Sequence, residues 1–160
     1  MSRALIVYYT KTGHTQQAGE DIAGGLRDAG VEVELKPVAE VPAQALADYD
    51  LVLVGSPCHA GSMQVLVSGI AGPVSKWLGG LPKDAFSGKW VAAFSVHSSL
   101  GGKVTVRSLE RLLTDMGGRV VAPGPVVKAG VPFSLWRGPD ASPEAREALR
   151  KFGRDLAREL

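Results

Sequence analysis

The 160-residue chain has little of what metal and disulfide proteins need, with one cysteine and three scattered histidines. A single cysteine excludes an intramolecular disulfide and a cysteine-based metal site, so we predict no metal. The chain also lacks a large excess of charge of one sign, since it has 18 Lys plus Arg and 16 Asp plus Glu. No basic cluster of the kind that binds nucleic-acid phosphates is visible along the chain, and we expect no nucleic-acid partner.

Long uninterrupted apolar runs are absent as well. The segment 51–75 carries no charge and is long enough to span a bilayer, but Pro57, Pro73 and several glycines interrupt it. The apolar run at the N-terminus is too short for the core of a signal peptide, and no cleavage site follows it. We therefore expect a cytoplasmic protein with no stable membrane insertion.

Composition and length are typical of one globular domain, with 45% apolar and 21% charged residues over 160 positions. We predict a single domain over residues 1–160, in which apolar strands alternate with amphipathic helices. Strands are expected at 4–9, 31–35, 49–55, 89–96 and 119–127, with helical patterns at 15–29, 42–47, 73–78, 106–116 and from Pro143, capped by Ser142. Pro123 and Pro125 interrupt the fifth strand, which suits an end or edge position. The alternation predicts an α/β fold with a doubly wound, five-stranded parallel sheet in three α/β/α layers.

The loop after the first strand is rich in hydroxyl groups. It reads Thr10-Lys11-Thr12-Gly13-His14-Thr15 and lies directly before a helix. Threonine hydroxyls and free backbone N–H groups at a helix start bind a phosphate dianion, helped by the helix dipole. An ordinary helix cap is the simpler alternative, but one threonine would be enough for it. The loop lacks both GxGxxG and GxxxxGK[ST], which disfavours a dinucleotide fold and a nucleoside triphosphatase.

This loop resembles the phosphate loop T/S-x-T-G-x-T of the flavodoxin family. Two later segments match that family in order and spacing: 55–62 (GSPCHAGS) resembles its first flavin loop, and 94–102 (FSVHSSLGG) its second. The resemblance implies strand order 2-1-3-4-5 and noncovalent binding of flavin mononucleotide (FMN). The cofactor-binding residues that it implies are Thr10, Lys11, Thr12, Gly13, His14, Thr15, Ser56, Pro57, Cys58, His59, Ala60, Gly61, Ser95, Val96, His97, Ser98, Gly101 and Gly102.

The candidate flavin loops depart from the family pattern. They contain no Trp or Tyr, and apart from Phe94 their only aromatic rings are His59 and His97, for which the alternative interpretation is an ordinary surface residue. No carboxylate lies in 51–75 or 95–102, whereas negative charge near the flavin would raise the energy of its anionic reduced form. We therefore predict a less negative potential for the last reduction step than in an acidic flavodoxin. Cys58 is expected to be a small buried hydrophobe, the alternative being a redox-active thiol.

The resemblance implies an electron-transfer protein whose partners are other redox proteins. The alternative is an enzyme, an FMN-dependent NAD(P)H:quinone oxidoreductase that reduces a small quinone-like acceptor, with His59 or His97 orienting it. No nicotinamide site is recognisable and no catalytic residue is assigned. The sequence leaves the oligomeric state open.

Overall fold

The computed structural model describes residues 2–58, 69–98, 101–130 and 138–160. Within these ranges strands and helices alternate along the chain. The elements are β1 (Arg3–Tyr8), α1 (His14–Asp28), β2 (Glu32–Pro37), two 3-10 turns (Val38–Glu40 and Ala43–Asp48), β3 (Leu51–Cys58), α2 (Gly72–Gly79), β4 (Trp90–His97), α3 (Gly102–Asp115), β5 (Arg119–Val120), β6 (Val126–Lys128) and α4 (Pro143–Ala157). None of the helices in the described ranges is long and apolar enough to cross a bilayer.

All the strand pairs are parallel, and the sheet order is β2-β1-β3-β4-β5, which confirms the predicted order. The predicted fifth strand is present as two short pieces. β5 pairs with the start of β4 and β6 with its end, and the interruption contains Pro123 and Pro125. Proline has no N–H to give to the sheet, so the strand breaks at the position that the sequence indicates.

β3 and β4 extend further than the sequence predicted. The sequence predicts a loop at Ser56, Pro57 and Cys58, whereas in the structure these residues continue β3 and pair with 95–97 of β4. The pairing of β1 with β3 ends at Tyr8 and Gly55, so the last part of β3 has no described neighbour on that side. Pro57 is tolerated there because this part of β3 pairs with a strand on one side only, so the backbone positions facing the other side need no N–H donor.

Helices cover both faces of the sheet, each over its own apolar core, as predicted for three layers. Leu5, Val54 and Val91 lie in the core under α2 and α3, whereas Ile6 and Leu53 lie in the core under α1 and α4. Because consecutive strand residues point to opposite faces, the central strands are apolar along their whole length. The central strands are consequently rigid supports for the loops at their carboxyl ends.

Two helices, α1 and α4, approach closely through glycines. A Cβ at Gly25 would clash with the carbonyl oxygen of Arg150, and a Cβ at Gly153 with that of Ile22. At the same interface Arg146 binds the carboxylate of Asp21 with two hydrogen bonds, of 3.0 and 3.1 Å. Hydrogen bonding to Asp21 raises the pKa of Arg146 above its usual range. These contacts fix the position of α1, whose first turn follows the threonine-rich loop.

Candidate functional site

The candidate site is the edge of the sheet where β1, β3 and β4 end. Tyr8 pairs with Gly55, and Tyr9 donates a hydrogen bond of 3.2 Å to the Gly55 carbonyl. Cys58 at the end of β3 pairs with His97 at the end of β4. In open α/β sheets, ligands bind outside the carboxyl ends of the strands where the chain order reverses, and here this lies between β1 and β3.

The threonine-rich loop forms a tight turn into α1. Thr10 Oγ1 accepts a hydrogen bond of 2.9 Å from the Gly13 N–H, and Gly13 has a φ of +93°. The first helical hydrogen bond runs from the Gln17 N–H to the Gly13 carbonyl. The N–H groups of residues 14–16 therefore precede the first helical donor and point out of the helix end. Since the first turn of α1 has no acidic residue, this end suits an anionic ligand.

The side chains of the loop have different surroundings. Lys11 is exposed, Thr12 is half-buried, and Thr15 is buried beneath the turn. His14 is also buried, and its Nδ1 lies 3.5 Å from Asp140 Oδ1, so the imidazole is turned toward the segment before α4. His14 can therefore reach a ligand at this edge through its backbone N–H, while its ring anchors the start of α1.

Three of the predicted site residues point into the protein. Ser56 and Ser95 have no exposed surface: Ser56 Oγ accepts a hydrogen bond of 2.9 Å from the Ala71 N–H, and Ser95 Oγ donates one of 2.8 Å to the Ser56 carbonyl. Val96 packs in the core under α1 and α4. These residues can therefore offer a ligand only their backbone groups.

Cys58, His97 and Lys128 form one row across three neighbouring strands. His97 pairs with Cys58 on one side and with Lys128 of β6 on the other. Cys58 is a buried thiol, as expected for a small hydrophobe. The Nδ1 atom of His97 is buried and has no hydrogen-bond partner among the described residues. A buried nitrogen without a partner is costly, so a bound ligand that reaches it would stabilise the site.

Sequence reasoning missed Thr105, a buried threonine of α3. Its Oγ1 lies 2.9 Å from the Gly69 carbonyl and 3.2 Å from the Gly101 carbonyl. Gly69 and Gly101 are the first described residues after 59–68 and 99–100. One hydroxyl therefore contacts the backbone that follows each of these two segments of the candidate flavin loops. Only the spacing of Thr105 four residues after Gly101 could have suggested it, and that spacing alone is common in helices.

The remaining predicted residues lie at the borders of the described ranges. His59, Ala60 and Gly61 lie outside the described residues. Ser98 is half-buried directly after β4. Gly101 precedes α3 with a φ of +93°, and Gly102 begins the helix in close contact with the His97 ring. In the described part of the chain, no three His, Cys, Asp or Glu residues are grouped as a metal ion would require.

The residues present fit FMN. The start of α1 offers hydroxyl and N–H donors without a carboxylate, as a phosphate requires, and His97 Nδ1 offers a buried polar atom near the ends of β3 and β4. These two features lie on the same edge, because β1 and β4 both flank β3. The arrangement can hold a phosphorylated, planar cofactor across the ends of the three strands.

Comparison with known proteins agrees with this geometry. A family model described as Flavodoxin matches residues 6–135. A flavodoxin of Aquifex aeolicus is 33% identical over 165 residues, covering 98% of this chain and 86% of that protein. An NAD(P)H dehydrogenase (quinone) of Caulobacter vibrioides is 31% identical over 138 residues, covering 72% of this chain and 66% of that protein.

Solved structures support the same fold. Oxidised flavodoxin 1 from Bacillus cereus superposes with a TM-score of 0.77 at 23% identity, covering 99% of each chain. At this identity the likeness establishes the architecture, and the chemistry depends on the residues at the edge of the sheet.

Proposed function

Since this chain belongs to the flavodoxin family, we propose that it carries electrons between redox proteins through noncovalently bound FMN. The observation that carries the proposal is the position of the threonine-rich loop. It joins β1 to the N-terminus of α1 beside the ends of β3 and β4, and it presents donors without a carboxylate. When bound, FMN supplies one- and two-electron chemistry.

In this proposal the start of α1 holds the phosphate. The N–H groups of residues 14–16 point out of the helix end, where the positive end of the helix dipole favours a dianion. The hydroxyls of Thr12 and Thr15 donate to the phosphate oxygens. Thr10 keeps the turn closed through its bond to the Gly13 N–H.

The segments that follow β3 and β4 would hold the flavin ring. His59, Ala60 and Gly61 contribute from the first segment, and His97, Ser98, Gly101 and Gly102 from the second. Neither segment contains a carboxylate, so no fixed negative charge opposes electron uptake there. The His97 imidazole can hold a hydrogen bond to the flavin, which gives its buried Nδ1 a partner.

A second candidate function is supported by one observation, the 31% identity to the Caulobacter NAD(P)H dehydrogenase (quinone). In that case FMN would pass an electron pair to a small quinone-like acceptor, with His59 or His97 orienting it. This chain covers only 66% of that relative, and no nicotinamide site is recognisable among its residues. The carrier is therefore the better-supported proposal.

One experiment separates the two functions. The protein is loaded with excess FMN and desalted, and NADPH oxidation is then measured with and without benzoquinone. A carrier retains FMN but turns over NADPH at a rate close to that of free FMN. Turnover at typical enzyme rates, of about 1–1000 per second, would support the reductase instead. Loss of all FMN on desalting would contradict both functions.

A further inference from the structure

The solvent-facing side of α3 carries a row of cations. Lys103, Arg107 and Arg111 are spaced four residues apart, so they lie on one helix face, and all three are exposed. None of them forms an ion pair with another residue in the described ranges, whereas Arg3, Arg146 and Arg154 all do. Because three other residues separate each of these cations from the next, the linear sequence shows no run of consecutive basic residues.

The same face exposes apolar side chains. Val104 is 48% exposed and Leu112 is 38% exposed, and they are the exposed large hydrophobic residues of the described chain. Val104 lies between Lys103 and Arg107 along the helix. Leu112 lies about 12 Å further along the helix than Val104, at the border of this face. Exposed apolar side chains among charged residues are typical of protein contact sites.

The two carboxylates of α3, Glu110 and Asp115, lie beside Arg107 and Arg111 and offset the positive charge of the row only in part. Glu110 is half-buried, and its Oε1 accepts a hydrogen bond of 2.7 Å from the Gly124 N–H. Asp115 is the last residue of the helix, at the end far from the candidate cofactor edge. The first two turns of α3 are therefore positive. Lys128, exposed at the end of β6, adds a further cation beside them.

The row also begins at the candidate cofactor site. Gly102, the first residue of α3, is in close contact with the His97 ring, and Lys103 follows it directly. A partner that contacts Lys103 and Val104 would consequently be near the ends of β3 and β4. Electron transfer between proteins requires such closeness, so the position of this face is suited to a redox partner.

We propose that this face of α3 (Lys103, Val104, Arg107, Arg111 and Leu112) docks an acidic redox protein, a proposal that rests on the carrier function proposed above. Charge complementarity selects the partner, because a carboxylate-rich surface would approach three exposed cations. A second copy of this chain would bring like charges together on this face, which is unfavourable. Val104 and Leu112 favour a protein over a nucleic acid, whose contacts are mainly to phosphates.

The shape of the face agrees with this partner. Arg107 and Arg111 line a shallow cavity of about 430 Å³ together with Glu110, Thr114, Asp115 and Val120. A carboxylate side chain entering it would meet both guanidinium groups, which bind carboxylates with two parallel hydrogen bonds, beside the carboxylates of Glu110 and Asp115.

The test measures electron transfer by stopped flow from the fully reduced, FMN-loaded protein to two one-electron acceptors, an acidic plastocyanin and a basic cytochrome c. One electron leaves the reduced flavin and converts Cu(II) to Cu(I), or Fe(III) to Fe(II). We expect the rate constant for plastocyanin to fall about tenfold or more as salt is raised, since steering depends on screened charges. Cytochrome c should not show this fall.

Charge reversal locates the effect. Arg107→Glu with Arg111→Glu should slow the low-salt reaction with plastocyanin about tenfold. The matched control, Lys83→Glu with Arg158→Glu, reverses two cations outside α3 and gives the same change in net charge. It should slow the reaction much less. A milder variant, Val104→Thr, keeps the side-chain shape and should slow the reaction at high salt without changing its salt dependence.

Each contrary result has a definite meaning. Equal effects of the two charge reversals, or a faster reaction with cytochrome c at low salt, would overturn the docking proposal and leave the carrier function standing. Tighter binding of a single-stranded 20-mer DNA than of plastocyanin, lost in the α3 variant, would make the face a nucleic-acid site instead. Transfer to neither acceptor at any salt would contradict the carrier function itself.

Discussion

The hydroxyl oxygen of Thr105 lies 2.9 Å from the carbonyl oxygen of Gly69. Gly69 has a φ of +71°, and a Cβ on it would come into collision with this hydroxyl. The same hydroxyl lies 3.2 Å from the Gly101 carbonyl. The ends of both candidate flavin loops are thus held at one buried point of α3, and their separation is set by a single side chain.

Removal of that hydroxyl should loosen both loops. Thr105→Val keeps the shape of the side chain but leaves the Gly69 carbonyl without its buried donor, which costs about 1–3 kcal/mol. We expect urea unfolding of the apoprotein to show this loss, and FMN affinity to fall as well. Thr114→Val is the matched control, because Thr114 makes the same bond to the fourth preceding carbonyl, that of Glu110, on the exposed side of α3. Equal losses in the two variants would contradict a special role for Thr105.

The phosphate assignment predicts a difference between FMN and riboflavin, which lacks the phosphate. Thr12→Ala and Thr15→Ala each remove a hydroxyl that donates to an anion, a bond of about 1.5–3 kcal/mol, or roughly tenfold or more in the dissociation constant. Fluorescence titration should show weaker binding of FMN and nearly unchanged binding of riboflavin. A parallel loss for both ligands would mean that the substitutions damage the fold and not a phosphate site.

The contact between α1 and α4 predicts an asymmetry between two substitutions. Arg146→Ala leaves the Asp21 carboxylate buried without its guanidinium partner, whereas Asp21→Asn leaves an exposed guanidinium that water can solvate. Because Arg146 is nearly half exposed, we expect Arg146→Ala to lower the unfolding free energy by only about 1–2 kcal/mol. Asp21→Asn should lower it by less. Urea denaturation of both variants checks the order, and the reverse order would refute it.

The charge of the flavin loops should control the potential of the last reduction step. His97→Asp would place a carboxylate near the flavin and make that potential more negative, since like charge raises the energy of the anionic reduced flavin. His97→Gln, which is neutral and polar, should shift it much less. Potentiometric titration of the FMN-loaded proteins measures both shifts. An unchanged potential in His97→Asp would show that His97 does not face the flavin.

Much of the fold could be predicted because its signals are local. The apolar runs of β1, β3 and β4, and the proline interruption between β5 and β6, can be recognised within a few residues. The threonine-rich loop is equally local, since its turn depends on Thr10 and Gly13, three residues apart.

What could not be predicted depends on contacts between distant residues. Asp21 and Arg146 are 125 positions apart, and Thr105 and Gly69 are 36 apart, so no short pattern marks either pair. The inward direction of Ser56 could not be predicted because β3 continues beyond its predicted end, and that of Ser95 because strand pairing, not the local sequence, decides which way a side chain points. The cation row on α3 needed the helix bounds, because only those place Lys103 in the same helix as Arg107 and Arg111.

The central claim, that the chain is an FMN-loaded electron carrier, is tested most directly by a potentiometric titration. The protein is loaded with FMN, desalted, and reduced stepwise while visible spectra are recorded. The account predicts that FMN stays bound and is reduced in two resolved one-electron steps, the second at a less negative potential than in an acidic flavodoxin. A single two-electron step, or loss of FMN on desalting, would contradict it.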